Sequence, residues 1–117
     1  MPNIDRYLIP LVSGQGSDLH ITAGRLPYIR VHGTLLPLTR EQPLSSKQIF
    51  DLLKEFMPEE NIAQLEAEWD TDCAYEIPGT ARFRVNGFRD MSGYGAVLRV
   101  IPEQIPSFED LNLPEIM

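Results

Sequence analysis

A chain of 117 residues is the size of one domain and leaves little room for two. Its 43% hydrophobic and 23% charged residues are ordinary for a soluble globular domain, and its net charge of −7 argues against a generic binder of nucleic acid or of an anionic membrane. No apolar run approaches the roughly 20 residues that span a bilayer, Met1-Pro2-Asn3-Ile4-Asp5 has no secretory character, and the single cysteine, Cys73, excludes an internal disulfide and fits a reducing cytoplasm.

Ile4, Tyr7, Leu8, Leu11 and Val12 recur at helical spacing and predict an amphipathic helix over residues 3–13, stopped by Gly14-Gln15-Gly16. Asp18 to Ala23 alternates, with Leu19 and Ile21 on one face and His20 and Thr22 on the other, which predicts a strand. After the turn Gly24-Arg25-Leu26-Pro27, Tyr28 to His32 predicts a second strand with Tyr28, Arg30 and His32 sharing a face. Gly33-Thr34 turns into a third, Leu35 to Leu38, which Pro37 assigns to a sheet edge. Ser45-Ser46 offers an N-cap for a helix with a broad apolar face from Ile49 to Met57. Pro58 ends that helix and opens the next, whose stripe of Ile62, Leu65 and Trp69 runs through residue 69. Thr71 to Ile77 predicts a strand and Pro78-Gly79-Thr80 a tight turn. Ala81 to Arg89 is then a long strand, and Gly95 to Ile101 its antiparallel partner across a hairpin at Asp90 to Tyr94.

Helices and strands in blocks, joined by short connections, make this an α+β domain with an antiparallel sheet. Cys73 falls within a strand and reads as an inert buried thiol. His20 and His32 have no second ligand at a metal-binding spacing, so no metal is expected. At the far end, Asn112-Leu113-Pro114-Glu115 has the form of a helix start, continued by Ile116 and Met117. Two readings stand: a frayed tail, or a helix that continues in a longer protein.

The net charge conceals two regions. Residues 51–76 carry nine acids and one base, Lys54, whereas residues 81–99 carry four arginines and one acid, Asp90. In the segment Ala81-Arg82-Phe83-Arg84-Val85-Asn86, alternation turns Phe83 and Val85 inward and Arg82, Arg84 and Asn86 outward. Arg99 joins Arg82 and Arg84 on one surface if the register allows. Grouped guanidinium groups stay protonated and can take phosphate oxygens two at a time. The plainer alternative is an exposed charged strand face paired with the acids between Glu66 and Glu76, and exposed strand faces are commonly charged.

The chain carries no G-x-x-x-x-G-K-[ST], and Gly14-x-Gly16 and Gly93-x-Gly95 do not extend to G-x-G-x-x-G. G-x-S-x-G, H-E-x-x-H and an EF-hand loop are also missing, so no catalytic residue is assigned to this chain by itself.

Ser17-Asp18-Leu19-His20-Ile21-Thr22-Ala23-Gly24 and Pro27-Tyr28-Ile29-Arg30-Val31-His32-Gly33 resemble the opening of PilT-type ATPases, the type IV pilus retraction (twitching motility) motors of the secretion-ATPase superfamily. The blocks Ala81 to Asn86, Gly95 to Pro102 and Leu111-Asn112-Leu113-Pro114 resemble later parts of the same N-terminal domain, in order. The resemblance implies a PAS-like domain over residues 1–106, with residues 107–117 starting a linker to a RecA-like ATPase core that would carry Walker A and Walker B. It further implies a cytoplasmic homo-hexamer, at the inner membrane through the pilus machinery, in which this domain packs on a neighbouring catalytic domain and helps complete its ATP site. On that resemblance Arg82, Arg84 and Arg99 are nucleotide-contact candidates in the full-length ring. ATP and Mg belong to the full-length protein, with no cofactor, metal or nucleic acid for this chain. The competing expectation is a standalone PAS-like sensory or small-ligand-binding module.

Overall fold

Alternation along the strands sorts the molecule into a covered side and an open side. The computed structural model describes residues 3–38 and 41–101. Its elements are α1 (Asp5–Ser13), β1 (Asp18–Thr22), β2 (Tyr28–Val31), β3 (Thr34–Pro37), α2 (Ser46–Lys54), α3 (Glu59–Glu68), β4 (Asp70–Ile77), β5 (Ala81–Asp90) and β6 (Gly93–Ile101). The six strands form one sheet in the order β3-β2-β1-β6-β5-β4, and every neighbouring pair is antiparallel. Two meanders therefore meet at β1 and β6, where Leu19 lies opposite Leu98. This is the α+β arrangement expected, an antiparallel sheet with helices against it.

The helices cover one face. α3 lies along β4 and β5, α2 across β6 and β1, and α1 at β1. Leu19, Ile21, Phe83, Val85, Ala96 and Leu98 point to that side and have no exposed surface. Ile4, Leu8 and Leu11 meet them from the first helical segment, Ile49 and Leu53 from α2, and Leu65 from α3, all equally buried. Removing one such side chain costs about 2–5 kcal/mol through lost burial and an unfilled cavity. Polar contacts fix the helices in place. The Ser45 hydroxyl accepts the Gln48 N–H while the Gln48 side chain accepts the Ser45 N–H, closing a capping box at α2. The Tyr75 hydroxyl donates to buried Asp5 at 2.6 Å, tying α1 to β4, and burial together with that carboxylate pushes the Tyr75 hydroxyl's pKa well up.

Three local expectations are corrected. β2 stops at Val31, because His32 and Gly33 form the two-residue turn to β3, with positive φ of 51° and 82°. That conformation matches the strand twist, and histidine is among the residues that tolerate it. The hairpin after β5 is also tighter than read. Asp90 pairs with Gly93, leaving only Met91 and Ser92 at the tip, and the Asp90 carboxylate accepts the Ser92 N–H at 2.8 Å. Finally, Trp69 does not continue the apolar stripe of α3. It caps the helix in the left-handed region at φ 66° and is 46% exposed, with its ring 4.8 Å from the Arg89 guanidinium. Cys73 sits in β4, half-buried, and burial raises its thiol pKa. Pro102, the block at Leu111 to Pro114, the helix start at Asn112 and the boundary between residues 106 and 107 lie outside the described residues.

Candidate functional site

The face away from the helices is where side chains converge without being covered. Register sets one row across it: Arg30 on β2, Asp18 on β1, Arg99 on β6, Arg84 on β5 and Ala74 on β4, each opposite the next. The adjacent row is Tyr28, His20, Val97, Asn86 and Asp72. Between the rows lies a cleft of about 380 Å³ lined by His20, Asp72, Arg84, Asn86, Val97 and Arg99.

Asp18 is the buried charge of this face. Its carboxylate accepts from the Ser17 hydroxyl at 2.6 Å, from His20 Nε2 at 2.6 Å and from Arg30 Nε at 3.4 Å. Burial pushes its pKa up, but those three hydrogen bonds, joined by the imidazolium charge whenever His20 is protonated, outweigh burial and hold the carboxyl below its usual range. Its lone pairs are therefore engaged by β2 and by its own strand, although Arg99 lies directly across from it in register.

Two of the three acids of β4, Asp70 and Asp72, are engaged as well. Asn86 Nδ2 lies 3.0 Å from Asp70 Oδ1 and 3.3 Å from Asp72 Oδ1, and donates to them. Among the described residues, the ion pairs within 4 Å are Arg6–Glu41, His20–Asp18, Arg30–Asp18 and Lys47–Asp51. None involves Arg82, Arg84 or Arg99, so the pairing of these arginines with the stretch from Glu66 to Glu76 is not found there.

The three arginines of the sequence reading are thus separated by the sheet. Arg84 and Arg99 stand opposite each other and line the cleft together. Arg82, on the same outward face, lies opposite Glu76 and Ile101 and does not line it. Arg89, near the hairpin tip, is packed between Trp69 and Tyr94, 4.8 and 5.3 Å from their ring centroids. Two guanidinium groups side by side, with no carboxylate within 4 Å of either among the described residues, are suited to an anion with several oxygens. Alternation had set Asn86 on the face of Arg84, and Asp72 lies within the acidic stretch offered as a partner; the neighbour that sequence reasoning missed is His20. Alternation gave the face of His20, but only the pairing of β1 with β6 brings it beside Arg99.

No protein-family model matches the chain. It is 39% identical over 110 residues to the type IV pilus retraction ATPase PilT of Pseudomonas aeruginosa, covering 93% of this chain and 32% of that protein. It is 36% identical over 113 residues to the type IV pilus ATPase PilU of the same organism, covering 97% of this chain and 29% of that protein. Among solved structures, the pilus retraction motor PilT with bound ADP superposes with a TM-score of 0.81 at 28% identity, over 98% of this chain and 33% of that one. The chain spans about a third of the length of the curated relatives it matches.

Proposed function

We propose, from the premise that this chain belongs to the PilT-type ATPases and forms their N-terminal region, that its open sheet face helps complete an ATP site in a pilus retraction motor. The observation that carries this reading is the pair Arg84 and Arg99, opposite each other in a cleft and without a carboxylate partner among the described residues. A polyphosphate suits that cleft, because its oxygens can be shared between two guanidinium forks. Among the described residues no three His, Cys, Asp or Glu side chains gather. In this reading magnesium is held by the RecA-like core, and bound ATP supplies the phosphoanhydride bond whose cleavage drives the motor. Arg84 and Arg99 orient the phosphates and offset the charge that develops on them, as an arginine brought to a nucleotide does in other NTPases.

The partners of such a domain are the RecA-like cores of its own and neighbouring subunits, in a homo-hexamer whose head-to-tail contacts close as a ring. The motor would act in the cytoplasm, peripheral to the inner membrane through the pilus machinery. No helix among the described residues is long and apolar enough to cross a membrane. The alternative of a standalone ligand-binding module draws less support, since the unpartnered polar groups gather on the open face and not in the apolar core. The test uses the full-length ATPase. Arg84→Ala and Arg99→Ala are expected to lower ATP turnover at least tenfold while the melting temperature of the domain stays within a few degrees, and Arg82→Ala is expected to have less effect. Unchanged turnover in all three single variants would refute the role.

A further inference from the structure

The segment Ser17-Asp18-Leu19-His20 has no role in an anion site made of arginines alone, yet it ends in that site. His20 shares the cleft with Arg84 and Arg99, and Arg99 is its diagonal neighbour, since His20 pairs with Val97. We infer that His20 is the third cationic group of the cleft, taking up a proton on Nδ1 as a phosphate anion binds, and that Asp18 is the positioning residue that makes this possible. The inference rests on the reading of the cleft as a phosphate site.

The geometry of Asp18 sets the chemistry. A carboxylate only accepts, so His20 Nε2, 2.6 Å from Asp18 Oδ2, carries a proton and donates it into that contact. The Asp18 side chain is only 7% exposed and is braced by Ser17 and Arg30, so the imidazole is held at a fixed point on the sheet. The other ring nitrogen, Nδ1, has no protein partner among the described residues. In neutral imidazole that nitrogen presents a lone pair, which repels a phosphate oxygen; protonated, it donates to one.

The titratable and charged groups that face His20 are Asp18 on its own strand, the Tyr28 phenol and Arg30 on β2, Arg99 on β6, Arg84 on β5 and Asp72 on β4. Arg25 lines a smaller depression on the same face that His20 also borders. A bound phosphate offsets the charge of Arg84 and Arg99 and adds an acceptor for Nδ1–H. Anion and proton therefore arrive together. The proton comes from solvent, one N–H bond forms, and Asp18 stays ionised opposite it.

The test titrates this chain with inorganic tripolyphosphate at pH 7 and follows the ring nitrogens of His20 by NMR in ¹⁵N-histidine-labelled protein. The Nδ1 resonance is expected to move from the unprotonated to the protonated position as the anion binds. Calorimetry in two buffers of different ionisation enthalpy should register more proton uptake for the wild type than for His20→Gln, which should bind about five- to tenfold more weakly. Asp18→Asn should lower that uptake with both arginines in place, and uptake unchanged from the wild type would overturn the positioning role. Binding that needs Arg84 and Arg99, with a static Nδ1 resonance and His20→Gln within twofold of wild type, overturns the role of His20 and leaves the arginine reading intact. No binding by the wild type, or binding indifferent to Arg84→Gln and Arg99→Gln, overturns both.

Discussion

Replacing Arg84 and Arg99 by glutamine, singly and together, separates an arginine pair held ready for an anion from one that serves the fold. The two residues are direct cross-strand partners, whose Cβ atoms stand about 5 Å apart, so side chains that extend in parallel hold their charges about 6 Å apart. Two like unit charges at about 6 Å repel by about 0.7 kcal/mol in water. Screening leaves about 0.5 kcal/mol of that at 20 mM salt and about 0.2 kcal/mol at 0.5 M. Each single substitution also changes packing and the field at other neighbours, such as Asp18 across from Arg99 in register, so only the double-mutant cycle isolates the pair. Urea denaturation of the four proteins at 20 mM and 500 mM NaCl should give a coupling that destabilises the fold by about 0.5 kcal/mol in the first condition, shrinking toward zero in the second. Tripolyphosphate should reverse the sign, because a ligand that needs both arginines stabilises the wild type most. A favourable coupling without ligand would mean that protein groups neutralise the pair, and an unfavourable one indifferent to salt would mean that packing and not charge sets it; under either the anion reading would lose its basis.

Three further outcomes test the surroundings of the cleft. Because the folded Asp18 carboxyl has a lowered pKa, its contribution to stability is present above the unfolded carboxylate pKa and is lost as pH falls through the folded value. Asp18→Asn should therefore be less stable than wild type at neutral pH, with the gap closing in acid; a gap constant from pH 7 to pH 2 would contradict the assigned hydrogen bonds. At Gly95 an added Cβ would come within 2.5 Å of Phe88 Cζ and 2.9 Å of the Ile21 carbonyl oxygen. Gly95→Ala should thus cost about 1–3 kcal/mol in a urea melt, and adding Phe88→Ala should recover only part, because the backbone contact remains. Ser45→Ala opens the capping box of α2 and should cost about 1 kcal/mol, a fall in melting temperature of roughly 4–8 °C that a thermal scan would detect.

Local rules made much of the fold legible. Alternation placed Phe83 and Val85 inside and Arg82, Arg84 and Asn86 outside, as observed, and Ser45-Ser46 marked the N-cap of α2, where Ser45 closes a capping box with Gln48. The failures came where a residue's backbone state overrode the type of its neighbours. Helical periodicity cannot tell that Trp69 leaves its helix in a left-handed conformation, nor that His32 takes the first place of a two-residue turn. Strand order was illegible for a different reason. The contact of β1 with β6 joins residues about eighty positions apart, and nothing local in either segment names the other. The candidate cleft depends on that one contact, so its arginines could be proposed from sequence while its histidine could not.

The sheet itself distinguishes Arg82 from the other two arginines. In β5 the residue opposite Arg82 on β4 is Glu76, an ordinary opposite-charge cross-strand neighbour. Two positions along, Arg84 faces Ala74 on β4 and Arg99 on β6. Arg99 in turn faces Asp18, whose carboxylate is already taken by Ser17, His20 and Arg30. A face shaped by solubility alone would interleave its charges, and β4 carries enough acids to do so; instead Asp70 and Asp72 are drawn toward Asn86. Adjacent like charges with their natural partners diverted are a local conflict of the kind proteins keep where function requires it. An anion from outside the domain would relieve the conflict, which is why the proposed role falls on Arg84 and Arg99 and leaves Arg82 the smaller share.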